Sequence, residues 1–183
     1  VSVAAVTVNR LCASGLQSII DASRAIMSGD GDLYIAGGVE SMTRAPFVMS
    51  KSSEVWNRKA EVFDTTMGWR FVNSQLAEMY YPYTMGETAE NVAKQWNISR
   101  EEQDAFAIES YKRSKIAWEN GRFNNEIVPV EIHQRKAASI IFKEDEEYKN
   151  VRFDKIPELK PAFSKEGTAT AANSSTMNDG AAA

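Results

Sequence analysis

Cysteine and histidine are almost missing from this chain of 183 residues, which holds one of each, Cys12 and His133. A single cysteine forms no internal disulfide, which points to a reducing compartment, the cytoplasm. There is no zinc-ligand spacing, no Walker loop, no dinucleotide fingerprint, no repeat and no heptad pattern. No apolar stretch reaches the roughly 18 residues that cross a bilayer, so no membrane partner is expected. Positive charge is not in excess either. The net charge of −4 argues against nucleic-acid binding, which needs a basic surface. An initiator methionine and a signal-peptide pattern are also missing, and the chain reads as an internal piece of a longer protein. What is present, 43% apolar and 25% charged residues, is the balance of a soluble globular protein with one ordinary domain or two small ones.

The rest of the chain is organised around residues 1–29, VSVAAVTVNRLCASGLQSIIDASRAIMSG. Val1, Val3, Val6 and Val8 lie in an apolar run without helical spacing, the pattern of a strand buried in a parallel sheet. Such a strand needs a neighbour, so it is expected to be part of a larger sheet. The spacing then turns helical through Leu16, Ile19, Ile20, Ile26 and Met27, with a stop at Gly29. Cys12 falls where strand gives way to helix. Unpaired N–H groups and the positive end of the macrodipole favour a thiolate there and can stabilise an oxyanion beside the sulfur. Ala13, Ser14 and Gly15 are small enough to admit an acyl chain. Two readings of Cys12 stand at this point: a nucleophile, or a small buried hydrophobe.

Residues 33–36 (LYIA) read as a second strand, parallel to the first, which makes a βαβ unit. Glu40 lies just beyond that strand's end, where α/β proteins place ligands, and is either a structural or a catalytic carboxylate. Residues 45–83 mix aromatics, Met and charge without a steady period. They read as a covering loop with short helices packed through Trp56, Phe63, Trp69 and Phe71, or as an oligomer contact or acyl-tunnel wall. Ala89, Val92, Ala93 and Trp96 share one face of a helix over 88–96, entered by a loop in which Met85 on its own terms is core packing. Ser99 to Glu102 is a capping box that predicts a helix to about Glu119, stopped at Asn120-Gly121. Residues 127–132 and 139–142 read as strands, the first at an edge because of Pro129. His133 stands either as a partner for Cys12 or as a strand-end surface histidine. Residues 143–147 (KEDEE) read as a solvated acidic turn, and 149–165 as an irregular, locally basic connector. Composition alone makes 167–183 a flexible linker.

Four blocks, NRLCASGLQSI, IAGGVESMTRAP, MGETAENVA and GTATAANSSTMNDGAAA, closely resemble segments of the thiolases, CoA-dependent acyltransferases, in the right order. The resemblance implies an α/β fold: part of an N-terminal βαβ half over 1–44 carrying the nucleophile, and an inserted α+β loop domain over 45–176 for CoA binding and oligomer contacts. Residues 177–183 would return into the first half. It makes Cys12 the acyl-carrying nucleophile. It places Met85 along the pantetheine and acyl pocket, and Ala171 and Ser175 against the pantetheine arm, the serine by a hydrogen bond. Many relatives carry His where this chain has Thr84. The basic connector, with Lys149, Arg152, Lys155, Lys160 and Lys165, suits the phosphates and adenine of CoA.

The implied activity is making or cleaving 3-ketoacyl-CoA by a ping-pong route, within fatty acid and lipid metabolism. CoA and acyl-CoA are the substrates, no cofactor is held permanently, and the assembly is a homodimer or homotetramer. The family's activating histidine and second cysteine lie in motifs of a C-terminal half that this chain lacks, so the piece alone is expected to be inactive. The segment from APFVM through DTTMGWRFVN is similar to that of thiolases for longer or dicarboxylic 3-oxoacyl-CoA, such as 3-oxoadipyl-CoA, with acetoacetyl-CoA equally open. A ketosynthase-like condensing enzyme and a non-catalytic CoA-binding or structural subunit are the alternatives. GGVESM and MGETAENVA favour the thiolases.

Overall fold

The computed structural model describes residues 3–52 and 54–183. In chain order the elements begin with α1 (Ser14–Ser28), β1 (Gly38–Glu40), β2 (Phe47–Met49), β3 (Val62–Asp64) and α2 (Ser74–Met79). They continue with α3 (Met85–Trp96), α4 (Arg100–Glu119), β4 (Val130–Ile132), β5 (Ile140–Phe142), α5 (Glu147–Asn150) and β6 (Gly180–Ala182). The chain divides into two compact units, Val1–Val72 with Met177–Ala183, and Asn73–Thr176. Residues 45–72 therefore cluster with the first unit rather than with the expected loop segment.

In the first unit α1 ends as the sequence predicts. Gly29 takes φ +79°, and its N–H bonds back to the carbonyls of Ala25 and Ile26, a left-handed stop that glycine adopts without strain. β1 runs antiparallel to β6, with Gly38 opposite Ala182 and Glu40 opposite Gly180. β2 and β3 form an antiparallel hairpin. Two expectations fail here. Residues 3–9 and 33–36 carry no strand, and every ladder among the described residues is antiparallel. Val1 and Ser2 of the expected first strand lie outside the described residues. The reason is pairing: an apolar run becomes a parallel strand only when a neighbour meets its N–H and C=O groups, and none does so here. The apolar residues of α1 are accordingly open to solvent, among them Leu16, Ile19 and Ile26. Of the aromatics expected to pack this region, Phe63 meets Phe71 edge-on at 5.2 Å, but Trp56 is 94% exposed.

In the second unit both long helices start at capping boxes. Thr84 and Ser99 each accept from the backbone N–H three residues on, and Glu87 and Glu102 each accept from the N-cap N–H. Asn97 closes α3 in the left-handed conformation, φ +52°, and Asn120-Gly121 stops α4. The buried apolar residues here are Ala93, Ala107, Tyr148, Ile156 and Ala169. Ile156, 1% exposed, sits in the short 3-10 segment Phe153–Glu158. That segment is tied to α4 by Arg100, whose guanidinium donates to the Ile156 carbonyl (2.8 Å), the Leu159 carbonyl (3.0 Å) and the Asp104 carboxylate (2.7 Å). β4 and β5 pair antiparallel, the ladder starting at Val130, just past Pro129. The KEDEE turn is not merely solvated, because Glu144 accepts from Tyr148 and Lys149, and Asp145 from the Trp118 indole at 3.3 Å.

The two capping boxes make acid stability testable. Hydrogen bonds from the Thr84 and Ser99 backbone N–H groups, then from their hydroxyls, hold the Glu87 and Glu102 carboxyls below their usual value of 4.5. With the native value lowered, the unfolded chain takes up the proton first as pH falls. This contribution is therefore complete above about 4.5 and is lost as pH drops through the lower native value. Thermal unfolding followed from pH 7 to pH 3 should show a shallower acid limb in the Glu87→Gln/Glu102→Gln double variant than in the parent, because glutamine keeps the box without titrating.

Candidate active site

Cys12 lies two residues ahead of Ser14, the first residue of α1, on a tight turn rather than inside the helix's first turn. Polar contacts build that turn. Leu11 N–H donates to Asn9 Oδ1 (2.9 Å), Arg10 N–H to Ser14 Oγ (2.8 Å), Ser14 Oγ to the Leu11 carbonyl (2.7 Å), and Ala13 N–H to the Arg10 carbonyl (3.1 Å). Together they hold Leu11 at φ +53°, a conformation that costs a branched side chain about 1–3 kcal/mol and persists only when its surroundings impose it. The residue that follows is Cys12, and it is exposed. Ala13, the N-cap, offers no side chain to the helix's N–H groups. That leaves the positive end of α1 facing the turn uncapped by any side chain of its own. Arg10 is held along the helix by Gln17 (2.7 Å), which in turn donates to Asp21 (2.6 Å).

Glu40 ends β1, paired with Gly180 and exposed. The carboxylate that organises this corner is one the sequence reading did not single out, Asp179. It accepts from both the N–H (3.0 Å) and the hydroxyl of Thr43. The hydroxyl first and the N–H second hold its carboxyl below the usual range. Nothing local signals this pairing, since the partners are 136 residues apart in sequence.

His133 follows the last residue of β4, exposed, with Nδ1 3.1 Å from Ser139 Oγ and 3.6 Å from Glu131 Oε1. Its surroundings are those of a strand-end histidine. In the second unit Met85 opens α3 and is 78% exposed, at the mouth of a shallow apolar groove with Ala89, Val92, Ala93 and Ile98. Thr84 beside it is the helix cap, a role its T-x-x-E spacing to Glu87 signalled but the apolar periodicity concealed. In the connector, Lys149 pairs with Glu144, and Lys155 with Glu158 at 3.1 Å.

The segment from Gly167 is not a flexible linker. Glu90, in α3, accepts from the N–H groups of Thr168 (2.8 Å) and Ala169 (2.9 Å) and from the Thr168 hydroxyl (3.2 Å). Asn173 accepts from Thr170 N–H (2.6 Å) and donates to Asp104 (2.9 Å) and to the Thr168 carbonyl (3.1 Å). Ala169 is 4% and Thr170 0% exposed, while Ala171 and Ser175 stand out in solvent beyond them. Among the described residues no group of three His, Cys, Asp or Glu side chains could hold a metal ion. Among the same residues no helix is long and apolar enough to cross a membrane.

The profile of the thiolase N-terminal domain matches residues 1–183. The chain is 49% identical over 183 residues to 3-oxoadipyl-CoA/3-oxo-5,6-dehydrosuberyl-CoA thiolase of Escherichia coli, covering all of this chain and 46% of that protein. It is 47% identical over 184 residues to mitochondrial acetyl-CoA acetyltransferase of Homo sapiens, covering 42% of it. A crystal structure of a thiolase from Ascaris suum in complex with coenzyme A superposes with a TM-score of 0.77 at 39% identity, over 96% of this chain and 43% of that one. The chain thus spans less than half the length of these relatives. With the profile matched over its whole length and the fold shared, this chain belongs to the thiolase family, as an α/β piece of the thiolase N-terminal domain.

Proposed function

We propose that the full-length protein carrying this chain is a CoA-dependent acyltransferase that makes or cleaves 3-ketoacyl-CoA, with Cys12 as its acyl carrier. The observation that carries the proposal is the exposed thiol on a polar-braced turn at the positive end of α1. The Cys12 sulfur attacks the thioester carbonyl of an acyl-CoA, the bond from the acyl carbon to the CoA sulfur breaks, and CoA leaves as the thiol with the cysteine's proton. A second thioester or free CoA then takes the acyl group. Met85, Ala171 and Ser175, all exposed, contact the pantetheine arm in this reading, and basic residues of 149–165 meet the phosphates. CoA and acyl-CoA act as substrates, with no permanently bound cofactor.

We further propose a homodimer or homotetramer working in the cytoplasm, in fatty acid or related acyl-CoA metabolism. The open apolar residues of α1 and the exposed Trp56 support a covering partner, whether the rest of the polypeptide or a second copy. The relatives' names span 3-oxoadipyl-CoA and acetyl-CoA, and thiolysis rates with 3-oxoadipyl-CoA and acetoacetyl-CoA separate these two substrate classes.

The test is acyl trapping. Full-length protein is incubated with acetyl-CoA at neutral pH and quenched in acid, and its peptides are mapped by mass spectrometry. An added acetyl group on Cys12 is expected. Absence of label while CoA still binds would leave a CoA-binding subunit and end the enzymatic reading.

A further inference from the structure

We infer that Glu90 is a positioning residue for the acyl-CoA site: its carboxylate fixes the backbone at Thr168 and Ala169, and so sets where Ala171 and Ser175 meet the pantetheine arm. This rests on the proposed CoA contacts of those two residues.

A carboxylate on the second turn of a helix would ordinarily face water. Glu90 instead reaches into another part of its unit, 78 residues away in sequence, and takes two successive backbone N–H groups and a hydroxyl. Bonds of this kind to a charged acceptor are about twice as strong as neutral ones. Gly167 makes the approach possible, because a Cβ there would occupy the space of the Glu90 carboxylate. Gln103, on α4, donates to the Thr168 hydroxyl from the other side (2.8 Å), and Asp104 holds Asn173. The stretch from 168 to 173 is thus pinned from two helices, at Thr168–Ala169 by Glu90 and at Asn173 by Asp104. Ala171, exposed, lies between those pins, and Ser175, also exposed, follows two residues after the second. A ligand contact made by small side chains has little reach of its own, so its geometry is the geometry of the backbone beneath it. Glu90 controls that backbone without touching the ligand.

Glu90→Gln keeps the shape but removes the charge and puts an amide N–H₂ where one carboxylate oxygen stood, so the N–H groups of Thr168 and Ala169 are left to share one neutral oxygen in place of two charged ones. The experiment is steady-state kinetics of the full-length protein with acetoacetyl-CoA and CoA for E90Q, Ser175→Ala and the double variant, each with its thermal midpoint. For E90Q we expect the KM for CoA to rise about 10-fold while kcat changes less than about 2-fold, the pattern of lost substrate positioning rather than lost chemistry. In the S175A background the same substitution should raise KM by much less, because its effect travels through the contact already removed.

Unchanged KM in E90Q beside a raised KM in S175A overturns the inference and leaves the CoA contact standing. Unchanged KM in S175A overturns the contact itself, and the inference with it. Full additivity of the two, or an equal fall of kcat and thermal midpoint in E90Q without the KM split, marks Glu90 as structural only. Should E90Q fail to fold, Thr168→Val takes its place. It removes the hydroxyl that bonds Glu90 and Gln103 while keeping the β-branched shape, with KM expected to rise about 3-fold.

Discussion

Cys12→Ala is expected to abolish acyl transfer, lowering the rate by about 10³-fold or more, with the thermal midpoint unchanged. Both halves of that result follow from where the residue sits. Covalent catalysis splits one difficult step into two, and without the sulfur there is no acyl-enzyme, so the whole two-step route is closed. The residue lies outside α1, is exposed, and takes no part in the side-chain bonds that build its turn, which run through Asn9 and Ser14. Alanine therefore removes the proposed nucleophile and leaves the brace. Cys12→Ser should be nearly as slow, since a hydroxyl at neutral pH is a far poorer nucleophile than a thiol. Initial rates of thiolysis, read with the acetyl label and a CoA-binding isotherm, decide the matter. Retention of more than a tenth of the activity in Cys12→Ala removes Cys12 from the mechanism.

The largest effect on folding is expected at Asp104. Its side chain is buried on α4 and joins two parts of its unit: one oxygen takes the Arg100 guanidinium at 2.7 Å, the other the Asn173 amide at 2.9 Å. Asp104→Ala leaves a largely buried guanidinium without its countercharge and an amide without its acceptor. Breaking a buried pair in this way costs about 3–5 kcal/mol. The lower end applies here, since Arg100 keeps the Ile156 and Leu159 carbonyls. Asp104→Asn should cost less, because its oxygen still accepts from Arg100. Denaturant midpoints of the three proteins give the order directly, and an alanine variant within about 1 kcal/mol of the parent would show that the network is replaceable by water.

What could be read in advance divides along the range of the interactions. α1 and α4 were legible because their signals are local: the left-handed stop at Gly29, the S-x-x-E box at Ser99, the end at Asn120-Gly121. The start of α3 is equally local, in Thr84 and Glu87, but the apolar face marks the helix only from residue 88, three residues late. Strands were another matter. Val3 to Val8 and Leu33 to Ala36 have the composition of strands and no partner, whereas Gly38–Glu40, with poor strand composition, is a strand because Gly180–Ala182 lies against it. The candidate site followed the same rule. Cys12 announced itself through its neighbours in sequence. The anchoring of Thr168, Ala169 and Asn173 did not, because a stretch rich in Gly, Ala, Ser and Thr looks like a linker until Glu90 and Asp104 are seen holding it.

The pairing of β1 with β6 carries a consequence for the order of folding. Its bonds, and that of Thr43 with Asp179 across 136 residues, close a very long loop, and the entropy of that closure has to be spent before the contact returns anything. In Asn73–Thr176 the helices and the hairpin close short loops and can form as a nascent chain lengthens, while the ties from Glu90 and Asp104 to residues 168–173 span 69 to 79 residues. The seam at Asp179 waits for almost the last residues of this segment to be made. The first unit is thus the late partner in assembly, although it is first in sequence and carries the proposed nucleophile.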